Sequence, residues 1–151
     1  MQQDGTSLRL SPSDLTAFLA CEHLTTLALQ VARGELAKPF RVNRHADLVR
    51  RKGDEHEGAY LASLAEDVVR IGDPWRIGWD EAAAATAAAM RSGAPVIYQA
   101  TFVDGSWRGL ADFLERQPDG GYEAVDTKLA RHAQPTHVLQ LCFYTEGIAG
   151  V

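Results

Sequence analysis

Two acids and a lysine occupy neighbouring stretches in the second half of the chain. Asp112 lies in "GLADFLE", and Asp126 and Lys128 lie in "EAVDTK". Both stretches are rich in strand formers, and side chains two residues apart on a strand share a face. We therefore expect Asp126 and Lys128 side by side, with Asp112 one hairpin away and flanked by leucines.

This combination favours metal-dependent chemistry on a phosphate. Burying a carboxylate is costly unless it is paired or binds a cation, and two neighbouring carboxylates raise each other's pKa. A divalent ion removes both costs, and Mg²⁺ needs only one or two protein carboxylates. Such an ion lowers the pKa of a bound water and polarises a phosphoryl oxygen. Lys128 could then stabilise charge that develops on the phosphate or help to position the attacking water.

A structural explanation of the same residues stays open. Asp126 and Lys128 could form an exposed ion pair that contributes little to stability. Asp112 could be an acid on an edge strand that deters aggregation. Spacing alone does not decide between these explanations, because Asp-x-Lys is a common pattern.

The first half of the chain is predicted to be helical. Ser11, Pro12 and Asp14 have the pattern of an N-cap, a first helical residue and a capping carboxylate, and the helix should run to about Arg33. A second helix is expected over residues 46–67, with one stripe formed by Val49, Gly53, His56, Tyr60 and Leu64. The alanine-rich stretch "WDEAAAATAAAMRSG" predicts a third helix that Gly93 closes.

The period of the pattern changes from Pro95 onwards. "PVIYQATFV", "SWRGLADFLE" and "GYEAVDTKLA" are rich in strand formers, and Asp104-Gly105 and "QPDGG" separate them as turns. We expect a three-stranded antiparallel meander, followed by a helix that Pro135 opens. The fold class is thus mixed α/β, with helices flanking a sheet.

Length and composition fit one domain over residues 1–151, with a helical part at 1–93 and a sheet and helix at 94–151. The last helix has apolar residues that nothing later in the chain covers, so we expect a longer parent protein. With 46% apolar and 23% charged residues, no membrane-length apolar run and no signal-peptide pattern, a cytoplasmic location is expected.

The net charge of −5 argues against a protein that binds nucleic acid by bulk charge. A locally basic groove is still compatible with the sequence, because basic residues crowd one stretch. These are Arg41, Arg44, Arg50, Arg51 and Lys52.

The segment "GLADFLERQPDGGYEAVDTKLAR" resembles the core of the PD-(D/E)xK nuclease superfamily, which places an acid on one hairpin strand and (D/E)-x-K on the next. Within that superfamily the chain is most similar to RecB-like nucleases, including CRISPR-associated adaptation exonucleases. "KGDEHE" resembles their G-x-x-H element, "QLCFY" their Q-x-x-x-Y motif, and "LSPSDLTAFLACEHL" their N-terminal helix that ends at a cysteine. The resemblance covers nearly the whole chain.

The resemblance implies a restriction-endonuclease-like core and a Mg²⁺- or Mn²⁺-dependent deoxyribonuclease that acts on single-stranded DNA or DNA ends, in repair or defence. It implies that His56, Asp112, Asp126 and the Thr127 carbonyl hold the metal and that Lys128 assists catalysis. Gln140 and Tyr144 would orient the lysine and the nucleic-acid backbone from one face of the last helix. It also suggests a helicase-like region later in the parent protein. An inactive nucleic-acid-binding or scaffolding module, or a helix-rich interaction domain, is the alternative.

His56 and Gln140 with Tyr144 also have structural explanations, as a satisfied core histidine and a packing pair. Glu123 is predicted to face away from Asp126 and is not counted as a ligand. In many relatives the cysteine that matches Cys21 helps to hold an iron–sulfur cluster, which normally needs four thiolates. Cys142 is the only other cysteine, and Glu22 stands where relatives have proline. We therefore expect no cluster in this chain and expect Cys21 to be a small buried residue.

Overall fold

A computed structural model describes residues 1–39, 42–64 and 67–151. Arg41 of the basic stretch lies outside these ranges. The described residues form six helices and six strands, and they confirm the mixed α/β class. In chain order these are β1 (Gln2–Asp4), β2 (Ser7–Arg9), α1 (Pro12–Ala20), α2 (Glu22–Ala32), α3 (Arg44–Ser63), β3 (Val68–Arg70), α4 (Pro74–Ile77), α5 (Trp79–Arg91), β4 (Val96–Asp104), β5 (Trp107–Arg116), β6 (Tyr122–Val125) and α6 (Pro135–Ala149).

The main sheet has four strands in the order β3-β4-β5-β6. β4, β5 and β6 are antiparallel neighbours, whereas β3 pairs in parallel with β4. The prediction of a three-stranded meander therefore missed one strand of this sheet, β3. β3 has only three residues, too few to display a period-two pattern. A small β1–β2 hairpin also forms, and Leu10 then hydrogen-bonds to the backbone of Ser106 and Arg108 at the start of β5.

Helices cover both faces of this sheet. Ile97 and Leu114 lie opposite each other on the face that packs with the alanines of α5, and both are fully buried. Phe102 and Gly109 pair further along the same two strands, where they contact α6, and Phe102 belongs to the same core cluster as Ile97 and Leu114. Helix α3 lies against the opposite face through Tyr60. Alanines on α5 and Gly109 on β5 let α5 and α6 approach the sheet closely. The buried core lies around β4 and β5.

The first predicted helix is in fact two helices. Its start is confirmed, because the Ser11 N–H donates to Asp14 Oδ2 at 2.9 Å. It ends at Cys21, where the backbone is extended (φ −168°, ψ 112°) before α2 begins. The Cys21 N–H bonds to the Ala17 carbonyl oxygen and the Cys21 carbonyl accepts from the Leu24 N–H, so the chain passes from one helix to the next without glycine or proline. Cys21 is exposed, and the expectation of a buried residue is wrong.

Helix α3 is shorter than predicted, and it turns a different set of residues towards the sheet. It starts after Asn43, whose side chain accepts a hydrogen bond from the Ala46 N–H at 3.1 Å. It contains no fully buried residue. Tyr60 is half-buried as expected, but Val49 and His56 are exposed. Contacts of Glu57 and Tyr60 with the sheet, rather than a continuous apolar stripe, hold the helix in place. The predicted placement of His56 on the inward face is thus wrong.

In the described ranges, every helix is too short or too polar to cross a membrane.

Candidate metal centre

The hairpin formed by β5 and β6 brings the two predicted acids together. Phe113 pairs with Val125, and continuing this register by one residue places Asp126 opposite Asp112. The strand itself ends at Val125, so Asp126 and Lys128 follow the strand rather than lie within it as predicted. The ladder stops here as Thr127 donates its N–H and its hydroxyl to the Asp112 carboxylate.

Asp112 is partly buried, and Thr127 holds one of its oxygens. The Thr127 N–H lies 2.8 Å and its Oγ1 2.9 Å from Asp112 Oδ2. Burial raises the pKa of Asp112 to about 6, with a further increase from hydrogen bonding to Asp126 and from its charge. The two Thr127 hydrogen bonds oppose this increase. A positive charge next to the pair would favour the ionised form.

Asp126 carries an unsatisfied buried oxygen. Its side chain is only 6% exposed, and Oδ1 accepts a hydrogen bond from Lys128 Nζ at 2.8 Å. Oδ2 is buried, and while Asp112 is ionised it accepts no hydrogen bond from the described residues. Leaving a buried acceptor unpaired costs about 1–3 kcal/mol, and more for a charged group. This oxygen, together with the Asp112 carboxylate, fits the oxygen-ligand chemistry of a small divalent cation.

The ion pair between Lys128 and Asp126 is only partly exposed to solvent. Its side chain is about one-third exposed (35%), so the ammonium reaches solvent while Asp126 stays buried. The explanation as an exposed ion pair therefore does not describe the geometry. A bound anion could approach the open side of Lys128 while Asp126 holds the ammonium in place.

Helix α6 approaches the pair through Tyr144. This residue is 5% exposed, and its hydroxyl donates to the Leu110 carbonyl oxygen at 2.7 Å. Burial raises the pKa of Tyr144, and the charges of Asp126 and Asp112 raise it further. Gln140 lies one turn earlier on the same helix face and is half-buried. Tyr144 therefore fixes the backbone of β5 two residues before Asp112.

The structure does not bring His56 to the two aspartates. His56 is exposed on α3, and within 1–39, 42–64 and 67–151 no group of three or more His, Cys, Asp or Glu residues could hold a metal. Thr127 contributes an N–H and a hydroxyl to Asp112. The only members of the predicted ligand set that lie together are therefore the aspartates and Thr127.

The next residue on α3, Glu57, was not singled out from the sequence. It is half-buried, and its Oε1 accepts a hydrogen bond from Gln99 Nε2 at 2.6 Å. Gln99 falls opposite Asp112 in the β4–β5 register, so Glu57 reaches the strand next to the site. Nothing in the mixed-charge run "RRKGDEHE" distinguishes Glu57 from its neighbours.

A groove of about 800 Å³ opens elsewhere, between α5, β4 and the C-terminal end of α6. None of the predicted site residues lines it. The two cysteines, Cys21 and Cys142, are free and exposed.

Comparisons with known proteins do not assign the chain to a family. No protein-family model matches the chain. No curated protein matches it significantly, and no solved structure does.

Proposed function

We propose that this protein is a metal-dependent DNA nuclease domain with a restriction-endonuclease-like core. The observation that carries the proposal is the unpaired, buried Oδ2 of Asp126, next to Asp112 and Lys128 at the end of the β5–β6 hairpin. An acid on one strand and Asp-x-Lys after the next is the arrangement of the PD-(D/E)xK motif. A structural ion pair would not need a second carboxylate or an unsatisfied oxygen.

Each residue has a distinct part in this proposal. Asp112 and Asp126 would hold Mg²⁺ or Mn²⁺, which when bound would supply an activated water and Lewis acidity towards a phosphoryl oxygen. Thr127 fixes Asp112 through two hydrogen bonds. Asp126 holds the Lys128 ammonium, which stabilises negative charge on the phosphate as the bond breaks.

Helix α6 supports this arrangement from outside the hairpin. The Tyr144 hydroxyl anchors the Leu110 carbonyl and so fixes the strand that carries Asp112. Gln140 lies one turn earlier on the same helix and would contact the nucleic-acid backbone. Single-stranded DNA or DNA ends, in repair or defence, are the proposed substrate class, and a helicase-like region of a longer parent protein is the proposed partner.

The direct test is cleavage of end-labelled single-stranded DNA in Mn²⁺ or Mg²⁺. Replacing Asp126 or Lys128 with alanine should abolish cleavage while circular dichroism shows an intact fold. The matched control is Glu123→Gln, which changes an exposed acid on β6 three residues before Asp126. Full activity in Asp126→Ala would overturn the mechanism.

One observation favours an alternative, a catalytically inactive nucleic-acid-binding or scaffolding module. The described residues do not assemble a third metal-ligating side chain beside the aspartates. This alternative predicts DNA binding without cleavage and no rise in melting temperature with divalent ions. The nuclease proposal predicts that Mn²⁺ raises the melting temperature, because a ligand that binds only the folded state stabilises it.

A further inference from the structure

Strand β4 contains a residue in a conformation that strands do not normally use. Gln99 has φ +59°, and it is the only non-glycine residue with positive φ in the part of the chain that the structure describes. Left-handed backbone is unfavourable for any side chain with a Cβ, whereas glycine adopts it freely. Strain of this kind persists only where surrounding contacts enforce it.

The strained residue lies opposite Asp112. The β4–β5 ladder pairs Tyr98 with Phe113 and Ala100 with Ala111, but the pair between them, Gln99 with Asp112, is missing. The interruption is therefore a local loss of pairing without a change of register. It occurs at the one position of β5 that supplies a site carboxylate.

The same conformation redirects the Gln99 side chain. By strand alternation, Gln99 would share a face with Ile97, which packs in one core cluster with the alanines of α5. Its amide instead donates to Glu57 of α3 at 2.6 Å. Helix α3 lies on the opposite face, because the Tyr60 ring packs on Phe113 with ring centroids 5.0 Å apart.

We infer that Gln99 is a positioning residue, which interrupts the strand pairing opposite Asp112 and ties α3 to the sheet at the carboxylate pair. The two effects have one cause, since the left-handed backbone both removes the ladder pair and turns the amide towards Glu57. This inference rests on the proposed metal site for its consequence, although the backbone and the tie to α3 can be measured without metal.

The backbone is tested by comparing the melting temperatures of Gln99→Gly and Gln99→Ala. Both variants lack the amide, so they differ only in their tolerance of positive φ. In an ordinary strand glycine is less stable than alanine. Here the glycine variant should melt about 3 °C above the alanine variant, given the usual size scaling. An alanine variant that melts at or above the glycine variant overturns the inference.

The tie to α3 is tested by amide hydrogen exchange in metal-free protein. Exchange over residues 44–63 should become at least threefold faster in Gln99→Ala and in Glu57→Ala. The matched control is Glu55→Ala, which removes an exposed acid on the same helix. If Glu57→Ala and Glu55→Ala leave exchange equally unchanged, Gln99 does not hold the helix.

The effect on the site is tested by Mn²⁺ binding, measured as the increase in melting temperature. Gln99→Gly should keep the wild-type affinity within about threefold, whereas Gln99→Val, which favours extended backbone, should lose at least tenfold. Wild-type affinity in a folded valine variant overturns the positioning role. Absence of Mn²⁺ binding by the wild type would instead overturn the proposed function, while the two metal-free tests still judge the backbone and the tie. If the valine variant does not fold, the melting temperatures of Gln99→Gly and Gln99→Ala decide whether the contacts around Gln99 enforce its left-handed backbone.

Discussion

The β5–β6 hairpin and helix α3 both carry predicted metal ligands, but the protein holds them in different ways. The hairpin belongs to the buried core, with Phe113 and Leu114 fully buried directly after Asp112. Helix α3 has no fully buried residue and joins the sheet through a few side chains, among them Glu57 and Tyr60. Close packing specifies side-chain direction in the first region, whereas polar contacts specify it in the second.

This difference explains why one half of the predicted site assembles and the other does not. A one-residue shift in a strand exposes its whole apolar face, so the directions of Asp112 and its neighbours are strongly determined. Rotating α3 by one residue exchanges His56 for Glu57 at little cost in buried apolar area. The comparison predicts unequal effects when matched residues in the two regions are changed.

The largest expected difference is in activity. Asp112→Ala should lower cleavage of single-stranded DNA at least about 10³-fold, because it removes one of the two carboxylates that would hold the metal. His56→Ala should change the rate less than about threefold, since this side chain is exposed and apart from the pair. Initial rates at saturating Mn²⁺ measure both. Equal losses in the two variants would mean that α3 rotates to bring His56 into the active enzyme.

The residues that position the acids could be recognised from the sequence because their pattern is short and strict. Alternation and the Asp104-Gly105 turn located β5, and Pro135 located the start of α6. The sequence also predicts that the Asp126 and Lys128 side chains lie next to each other, as they do, although β6 ends at Val125, before either residue. Beyond the strand, the two hydrogen bonds from Thr127 to Asp112 tie the residue between them to β5.

Other features depend on contacts that no local pattern records. The break at Cys21 involves neither glycine nor proline, and the left-handed conformation of Gln99 occurs in a residue with no special preference for it. Strand β3 is specified by its pairing with β4 and not by its three residues. The sequence does not single out Glu57, because its hydrogen-bond partner Gln99 is 42 residues away.

A second prediction compares equal truncations in the two regions. Leu114→Ala should destabilise the protein by about 2–5 kcal/mol, because it leaves a cavity beside β4. Leu48→Ala on α3 should cost less than about 1 kcal/mol, since that side chain is already 44% exposed. Urea unfolding measures both free energies. A loss of more than about 2 kcal/mol in Leu48→Ala, by the same cavity argument, would show that α3 packs more deeply than its exposure indicates.

A third prediction uses glycine as a probe of space. A Cβ at Gly109 would lie 2.5 Å from Phe143 Cε1 and 3.0 Å from Tyr144 Cε1, so Gly109→Ala should cost about 1–3 kcal/mol. Gly58 lies within α3 with no atom near its missing Cβ, so Gly58→Ala should stabilise by about 0.5–1 kcal/mol. Melting temperatures should thus move in opposite directions. Destabilisation by Gly58→Ala would show that another part of the chain packs against α3 at this position.

A comparably small effect is expected in the pH dependence of stability, and it comes from the hairpin alone. The pKa of Asp112 is about 6 in the folded protein and 3.8 as the ordinary value, so the folded state binds its proton more tightly than the unfolded chain. The resulting stability is present below pH 4 and is lost as pH rises from 4 to 6, on the order of 1 kcal/mol after allowance for solvent screening. Asp112→Asn should remove this decrease, whereas Asp54→Asn, at an exposed position of α3, should retain it. Urea unfolding at pH 4, 5, 6 and 7 without divalent ions measures the difference. If the free energy of unfolding of Asp112→Asn decreases with pH as much as that of the wild type, another group is responsible for the titration. Mn²⁺ should reduce the decrease in the wild type, because it favours the ionised carboxylate.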